Sequence, residues 1–123
     1  MDGEYSVKPR ILIVDDESGI RAALSRWFKI RGFEVEEAEN GLEAIEKCLE
    51  NDYDVVTMDL EMPGMGGLEA IVVIKESYPA LPIVVLTGYV RDSEAALNNG
   101  AAKVLTKPLR LKELEEEVRE LLS

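Results

Sequence analysis

Five short apolar segments alternate with five segments of helical periodicity, and this alternation limits the fold of the chain more than any other feature. The predicted strands are residues 11–14, 33–37, 54–58, 82–86 and 102–106. Alternating strands and helices form a parallel sheet, because each right-handed crossover returns the chain to the same end of the sheet. The sequence therefore predicts an α/β protein with three layers, in which helices cover both faces of one sheet.

The composition of each strand predicts its place in the sheet. Segments 11–14, 54–58 and 82–86 contain nearly continuous aliphatic runs. Such runs are typical of central strands that are buried on both faces. Segment 33–37 instead alternates apolar and acidic residues, which predicts an edge strand.

The predicted helices are marked by apolar residues at spacings of three and four. The marker residues are Ile20, Ala23, Leu24 and Trp27 in the first helix, Leu42, Ile45 and Leu49 in the second, and Leu68, Ile71, Val72 and Ile74 in the third. Gly32 is expected to end the first helix, and Asn40 to cap the second.

The fourth helix is predicted over about residues 92–98, with few apolar anchors, and is expected to be the least firmly held element. The fifth helix is predicted over residues 111–122, with an apolar stripe wide enough to close the core of the domain. Residues 1–8 have neither pattern and are expected to form a flexible N-terminal tail.

Composition excludes several functions. The net charge of -11 argues against direct binding of nucleic acid, because duplex affinity depends largely on Lys and Arg. The absence of histidine excludes imidazole catalysis and the usual zinc sites.

The single cysteine, Cys48, fits a reducing cytoplasm and is expected to be a buried helix residue. We expect no contact with a membrane, because no segment is apolar for long enough to span one.

Two central strands lead directly into acidic residues. Asp15 and Asp16 follow the first strand, and Asp59 follows the third. The carboxyl ends of parallel strands lie at one edge of the sheet, where open α/β sheets bind ligands. Three like charges brought together there need a cation, so the sequence predicts a metal site in which one carboxylate can react.

Four motifs, each at the end of a strand, closely resemble the receiver domain of two-component response regulators. They are ILIVDDE at 11–17, MDLEMPGMGG at 58–67, VLTG at 85–88, and GA at 100–101 followed by LTKP at 105–108. The resemblance implies a receiver domain over residues 9–123. It also implies a flavodoxin-like fold with five helices and the strand order 2-1-3-4-5.

The resemblance also implies roles for individual residues. Asp59 is the expected phosphoacceptor, and Lys107 and Thr87 are expected to bind the phosphoryl oxygens. The implied cofactor is Mg²⁺, which prefers carboxylate and carbonyl oxygens. Its expected ligands are Asp15, Asp16, Asp59 and the backbone carbonyl of Glu61.

The implied function is a signalling switch. Such a switch is not an enzyme, because it catalyses only its own phosphorylation and dephosphorylation. Because the chain lacks histidine, the phosphoryl group is expected from a histidine kinase or a histidine phosphotransfer protein. The face made by the fourth helix, fifth strand and fifth helix is expected to change. A downstream protein, an output domain or a second copy of the chain would bind to that face.

One position departs from the family pattern. Val104 occupies the place of an aromatic residue that normally moves together with Thr87 during switching. Tyr89 is a candidate substitute, although a partly exposed loop tyrosine is an equally good interpretation. Glu61 and Tyr89 also occupy the two positions that modulate phosphate lifetime in the family. Pro108 is expected to follow a cis peptide bond that aims Lys107.

Three alternatives remain open from the sequence. A receiver-like adaptor would act without phosphorylation, and Val104 is compatible with it. A Mg²⁺-dependent phosphatase resembling haloacid dehalogenases is disfavoured, because Glu61 stands where a second Asp is usual. A flavin or nucleotide binder would need a loop rich in Gly, Ser or Thr after the first strand, where this chain has acidic residues.

Overall fold

Five parallel strands form one sheet in the order β2-β1-β3-β4-β5 in the computed structural model, which describes residues 7–123. The strands are β1 Arg10–Val14, β2 Glu34–Ala38, β3 Val55–Asp59, β4 Ile83–Thr87 and β5 Lys103–Thr106. The helices are α1 Ser18–Ile30, α2 Gly41–Glu50, α3 Gly67–Ser77, α4 Ser93–Asn98 and α5 Leu111–Leu122. The predicted fold class, strand order and number of helices are confirmed. Of the expected tail, residues 1–6 lie outside the described residues.

The strands differ from the prediction by one residue at several ends. Strand β3 runs one residue further than expected, so Asp59 is its last residue and pairs with Leu86 of β4. Strand β5 ends at Thr106, and Lys107 follows it directly. Strand β2 lies at one edge of the sheet, as its alternating pattern predicts.

The sheet separates two apolar clusters. On one face, α1 and α5 pack through Leu24, Phe28, Leu114 and Val118. On the other face, α2, α3 and α4 pack through small or branched side chains that include Ala44, Cys48, Ala70, Ile71, Ile74 and Ala96. Strands β1, β3 and β4 contribute side chains to both clusters, which is why their sequences are continuously apolar.

Helices α1 and α2 form where the sequence predicts them, but only part of each predicted stripe faces the core. Leu24 of α1 is buried and Ile45 of α2 packs against the core, as predicted. Leu42 and Leu49 are 54% and 63% exposed, whereas Ala44 and Cys48 are buried. Ile20 is also exposed, at 39%. The buried residues of α2 are Gly41, Ala44 and Cys48, which have the same helical spacing as the predicted markers Leu42, Ile45 and Leu49.

Helix α4 has the fewest buried residues of the five helices, in agreement with its short apolar pattern. It follows a single turn of 3-10 helix, Val90–Asp92. Within this described helix, Ala96 alone is fully buried, and Leu97 is 49% exposed. No helix among residues 7–123 combines the length and the apolar character needed to cross a bilayer.

Helices α1 and α5 are joined by a buried carboxylate, Glu115, whose side chain is only 5% exposed. It accepts hydrogen bonds from Trp27 Nε1 at 3.0 Å and from Arg119 Nε at 2.8 Å, and Arg31 Nε lies 3.0 Å away. Burial alone would raise the pKa of Glu115. The hydrogen bonds from Arg119, Arg31 and Trp27 outweigh burial and hold the pKa below its usual value.

We predict that Glu115→Gln lowers the free energy of unfolding at pH 7 by about 1–3 kcal/mol, because charged hydrogen bonds are lost. The folded-state pKa lies below the unfolded value, so this stabilisation is present above the unfolded-state pKa. It disappears as the pH falls through the folded-state pKa. Urea titrations should therefore show a large difference in the free energy of unfolding between wild type and Glu115→Gln at pH 7, and a small one below pH ~4. A difference in the free energy of unfolding that does not depend on pH would contradict this prediction.

We also predict that Thr57→Val raises the free energy of unfolding by about 1 kcal/mol, because an unsatisfied hydroxyl is replaced by a methyl group of similar shape. The Thr57 hydroxyl is buried in β3 without a hydrogen-bond partner among the described residues. The matched control is Ser25→Ala, whose buried hydroxyl donates to Glu37 Oε2 at 2.7 Å. Ser25→Ala should lower the free energy of unfolding. If urea titrations show that both substitutions lower it, the Thr57 hydroxyl is not an unsatisfied buried group.

Candidate functional site

Three carboxylates meet at the carboxyl edge of the sheet, because β1 and β3 are adjacent strands. Asp59 is the last residue of β3, and Asp15 follows the last residue of β1. Asp15 and Asp59 are each only 1% exposed, whereas Asp16 is exposed. One carboxylate oxygen of each residue lies within 4.8 Å of those of the other two. The structure thus brings together the three acidic residues that the sequence singled out.

The backbone of Asp15 is fixed from two sides. Its N–H donates to Ala38 O of β2 at 3.1 Å, and its carbonyl accepts a hydrogen bond from the Arg21 guanidinium at 2.7 Å. Arg21 in turn donates to Glu37 at 2.9 Å. This role of Arg21 could not be predicted from the sequence, because a lone arginine on a helix carries no signal of which loop it contacts.

The Asp59 carboxylate is held through one of its oxygens. Oδ1 accepts hydrogen bonds from Lys107 Nζ and from the backbone N–H of Glu61, both at 3.1 Å. Lys107 reaches this position because its own N–H donates to Thr87 O at 2.8 Å, which continues the β4–β5 ladder. The peptide bond between Lys107 and Pro108 is cis, as the resemblance implies.

The electrostatics of the edge favour an additional cation. Burial raises the pKa of Asp59 to about 6, against the opposing effect of Lys107, and it also raises the pKa of Asp15. Burial would lower the pKa of Lys107, but the hydrogen bond and charge of Asp59 raise it. One ammonium group therefore faces three carboxylates.

The oxygen Asp15 Oδ2 provides a test of whether a metal fits. It is buried and has no hydrogen-bond partner within residues 7–123. A buried carboxylate oxygen without a donor is costly, and a divalent cation would satisfy it. An all-oxygen donor set from Asp15, Asp16 and Asp59 suits Mg²⁺ rather than a softer metal.

Thr87, the last residue of β4, is fully buried, and its hydroxyl both donates and accepts a hydrogen bond. Its Oγ1 donates to Glu61 Oε2 at 2.6 Å and accepts from Tyr89 N at 3.1 Å. The other oxygen, Glu61 Oε1, accepts from Gly88 N at 2.9 Å. From the sequence, Glu61 is expected to bind the metal through its backbone carbonyl and to affect phosphate lifetime. Neither its side-chain contact with Thr87 nor the part of Gly88 is predicted.

The two residues expected to couple the site to the surface lie in different environments. Val104 pairs with Val85 and is partly buried against the cluster under α2, α3 and α4. Tyr89 is 49% exposed, and the Arg91 guanidinium carbon lies 4.8 Å from the centre of its ring. Tyr89 is therefore a largely exposed loop residue in this structure, joined to Thr87 through its backbone N–H.

The loop after β3 packs tightly against the backbone of Asp59 at Gly67. A Cβ atom added to Gly67 would lie 2.8 Å from Asp59 O and 2.9 Å from Leu60 Cα. Both contacts are too short for carbon, and they involve backbone that cannot move aside easily. Glycine at position 67 thus sets the close approach of α3 to the end of β3.

Comparison with known proteins gives a consistent result. A family model described as the response regulator receiver domain matches residues 11–119. Similar proteins include the response regulator MprA of Mycobacterium sp. (strain KMS), 40% identical over 115 residues, which cover 92% of this chain and 50% of that protein. Another is the transcriptional regulatory protein PrrA of Mycobacterium tuberculosis, 37% identical over 116 residues, covering 93% and 50%. The chain spans about half the length of these curated relatives.

Solved structures with the same fold include a CheY-like response regulator receiver domain protein from Methanospirillum hungatei. The TM-score is 0.90 at 30% identity, with 94% of both chains covered. A second is the response regulator TrrA of Thermotoga maritima in complex with Mg²⁺-BeF, with a TM-score of 0.86 at 37% identity. That match covers 92% of this chain and 98% of the other.

We predict that Gly67→Ala lowers the free energy of unfolding by about 1–3 kcal/mol, because the added methyl group overlaps backbone at the end of β3. The matched control is Gly19→Ala in α1, where an added Cβ meets no atom within 4 Å. There the substitution should raise the free energy of unfolding by roughly 0.5–1 kcal/mol. Urea titration measures both changes. An unchanged free energy of unfolding in Gly67→Ala would show that the loop adapts freely.

Proposed function

The chain belongs to the response regulator receiver family, whose domains act as signalling switches and not as classical enzymes, and we propose that Asp59 is its phosphoacceptor. The observation that carries the proposal is the buried Asp59 carboxylate at the end of β3. It lies within 4.8 Å of carboxylate oxygens of Asp15 and Asp16 and 3.1 Å from the Lys107 ammonium group. This combination suits in-line transfer of a phosphoryl group to a carboxylate.

In the proposed reaction an Asp59 carboxylate oxygen attacks phosphorus, and the bond from phosphorus to the donor breaks with its electron pair on the donor. Asp59 Oδ2 is the better candidate, because Oδ1 is already bonded to Lys107 and Glu61 N. The pKa of about 6 leaves Asp59 mainly ionised at neutral pH, which is the nucleophilic form. Lys107 is close enough to stabilise a phosphoryl oxygen after transfer.

A divalent cation, Mg²⁺ by its preference for oxygen, is proposed at this edge of the sheet. Its ligands would be Asp15, Asp16, Asp59 and the backbone carbonyl of Glu61. When bound, it would neutralise charge on the transferred phosphoryl group. The unpartnered oxygen Asp15 Oδ2 supports this assignment, as does the solved Mg²⁺-BeF complex of TrrA.

The donor must lie outside these 123 residues, since they contain no histidine. We propose the phosphohistidine of a histidine kinase or of a phosphotransfer protein, with small acyl phosphates as substitutes. The single cysteine, Cys48, is buried and has no second cysteine with which to form an internal disulfide, which fits a reducing cytoplasmic location. The relative PrrA is named as a transcriptional regulatory protein. We therefore propose that the output passes to a further domain or partner, which need not include direct contact of this chain with DNA.

For the conformational change we propose that Thr87 moves toward the phosphoryl group and that Tyr89 responds. The hydrogen bond from Tyr89 N to Thr87 Oγ1 supports this, because a movement of Thr87 must either break that hydrogen bond or move Tyr89 with it. Val104 lacks the aromatic ring that usually follows the threonine. The short α4, with its few buried side chains, is the element best able to shift in response.

We predict that incubation with acetyl phosphate and Mg²⁺ adds one phosphoryl group to the wild-type chain and none to Asp59→Asn, as measured by intact-mass spectrometry. The matched control, Asp52→Asn, removes an exposed carboxylate away from the site and should be phosphorylated like the wild type. An undiminished mass gain in Asp59→Asn would overturn the assignment. No gain in any of the three proteins would favour an adaptor that acts without phosphorylation.

A further inference from the structure

We propose that the Glu61 carboxylate acts as an internal substitute for the phosphoryl group and holds the end of β4 in its resting position. It does so by occupying two hydrogen-bond donors, the Thr87 hydroxyl and the Gly88 N–H. Phosphorylation then has to displace Glu61 before Thr87 can respond. This inference rests on the proposed role of Asp59 as phosphoacceptor.

The geometry of Glu61 is that of a bound anion. Its two oxygens accept separate hydrogen bonds, at 2.6 Å from Thr87 Oγ1 and at 2.9 Å from Gly88 N. Hydrogen bonds to an ionised acceptor are short and roughly twice as strong as neutral ones. The donors that end β4 are thus already satisfied by negative charge in the resting protein.

The hydroxyl of Thr87 cannot serve two acceptors. A threonine hydroxyl has one proton, and here that proton goes to Glu61 Oε2. Its oxygen also accepts from Tyr89 N at 3.1 Å, which fixes the side chain from the other side. Donation to any other oxyanion therefore requires the bond to Glu61 to break.

Charge supplies the reason for release. The backbone N–H of Glu61 already donates to Asp59 Oδ1, so the two residues are close neighbours. A phosphoryl group on Asp59 would add negative charge beside the Glu61 carboxylate, and like charges at short range repel. Glu61 lines a cavity together with Glu69, Arg91 and Asp92, and this space allows its side chain to move away from Thr87.

Glu61 would accordingly be a positioning residue that acts through Thr87 and Gly88. Its backbone carbonyl, the proposed metal ligand, is kept in Glu61→Ala and Glu61→Gln. A control with equal loss of charge is Asp92→Asn, because Asp92 lines the same cavity and neither Thr87 nor Gly88 donates to it.

The first measurement is NMR spectroscopy of the full chain without metal or phosphate donor. We expect the Gly88 amide and Thr87 methyl signals to shift in Glu61→Ala, to shift less in Glu61→Gln, and to stay unchanged in Asp92→Asn. Unshifted signals in Glu61→Ala would show that the contact does not hold the β4 end in solution, and this would overturn the proposal whatever the role of Asp59.

The second measurement is the Kd for beryllofluoride in the presence of Mg²⁺, with beryllofluoride as the phosphoryl probe. We expect Glu61→Ala to bind it about tenfold more tightly than wild type, the equivalent of one hydrogen bond to a charged group. Asp92→Asn should match the wild type. Equal or weaker binding by Glu61→Ala, when the wild type binds, would overturn this proposal and leave Asp59 as phosphoacceptor. Failure of the wild type to bind would instead count against the proposed function itself, and with it against the displacement of Glu61.

Discussion

Two buried carboxylates at neighbouring strand ends, Asp15 and Asp59, create a concentration of negative charge that the surrounding loops compensate. Burial raises the pKa of both, and the Lys107 ammonium group offsets only part of the repulsion. Backbone N–H groups of Glu17 and Glu61 supply further hydrogen bonds to these carboxylates. A site with this residual charge is suited to binding a divalent cation and then the anion that the cation attracts.

The same edge also connects the chemical event to the rest of the molecule. Glu61 contacts Asp59 through its backbone and Thr87 through its side chain, while Lys107 contacts Asp59 through its side chain and Thr87 through its backbone. The ends of β3, β4 and β5 therefore form one hydrogen-bonded unit. A change of charge at Asp59 reaches the β4–α4 loop in two steps, and that loop leads into the helix with the fewest buried side chains.

Much of this site could be predicted from local sequence, because each acidic or polar residue stands directly after an apolar strand. The side-chain contacts within the site could not. Glu61 has several rotamers that reach different neighbours, and the choice of Thr87 and Gly88 depends on how the β3 and β4 loops lie together. The contact of Arg21 with the backbone carbonyl of Asp15 and the tight packing of Gly67 against Asp59 could not be predicted for the same reason, since both depend on how the loops fold.

The sequence by itself determined that strands and helices alternate, that the central strands are buried on both faces, and that carboxylates collect at one edge. These properties follow from side-chain chemistry at fixed local spacing. Which side of α2 lies deepest against the sheet was decided only in the tertiary structure. The predicted markers Leu42, Ile45 and Leu49 have the same helical spacing as the buried residues Gly41, Ala44 and Cys48. Because periodicity is equal for both sets, it could not show that the set with smaller side chains is the buried one.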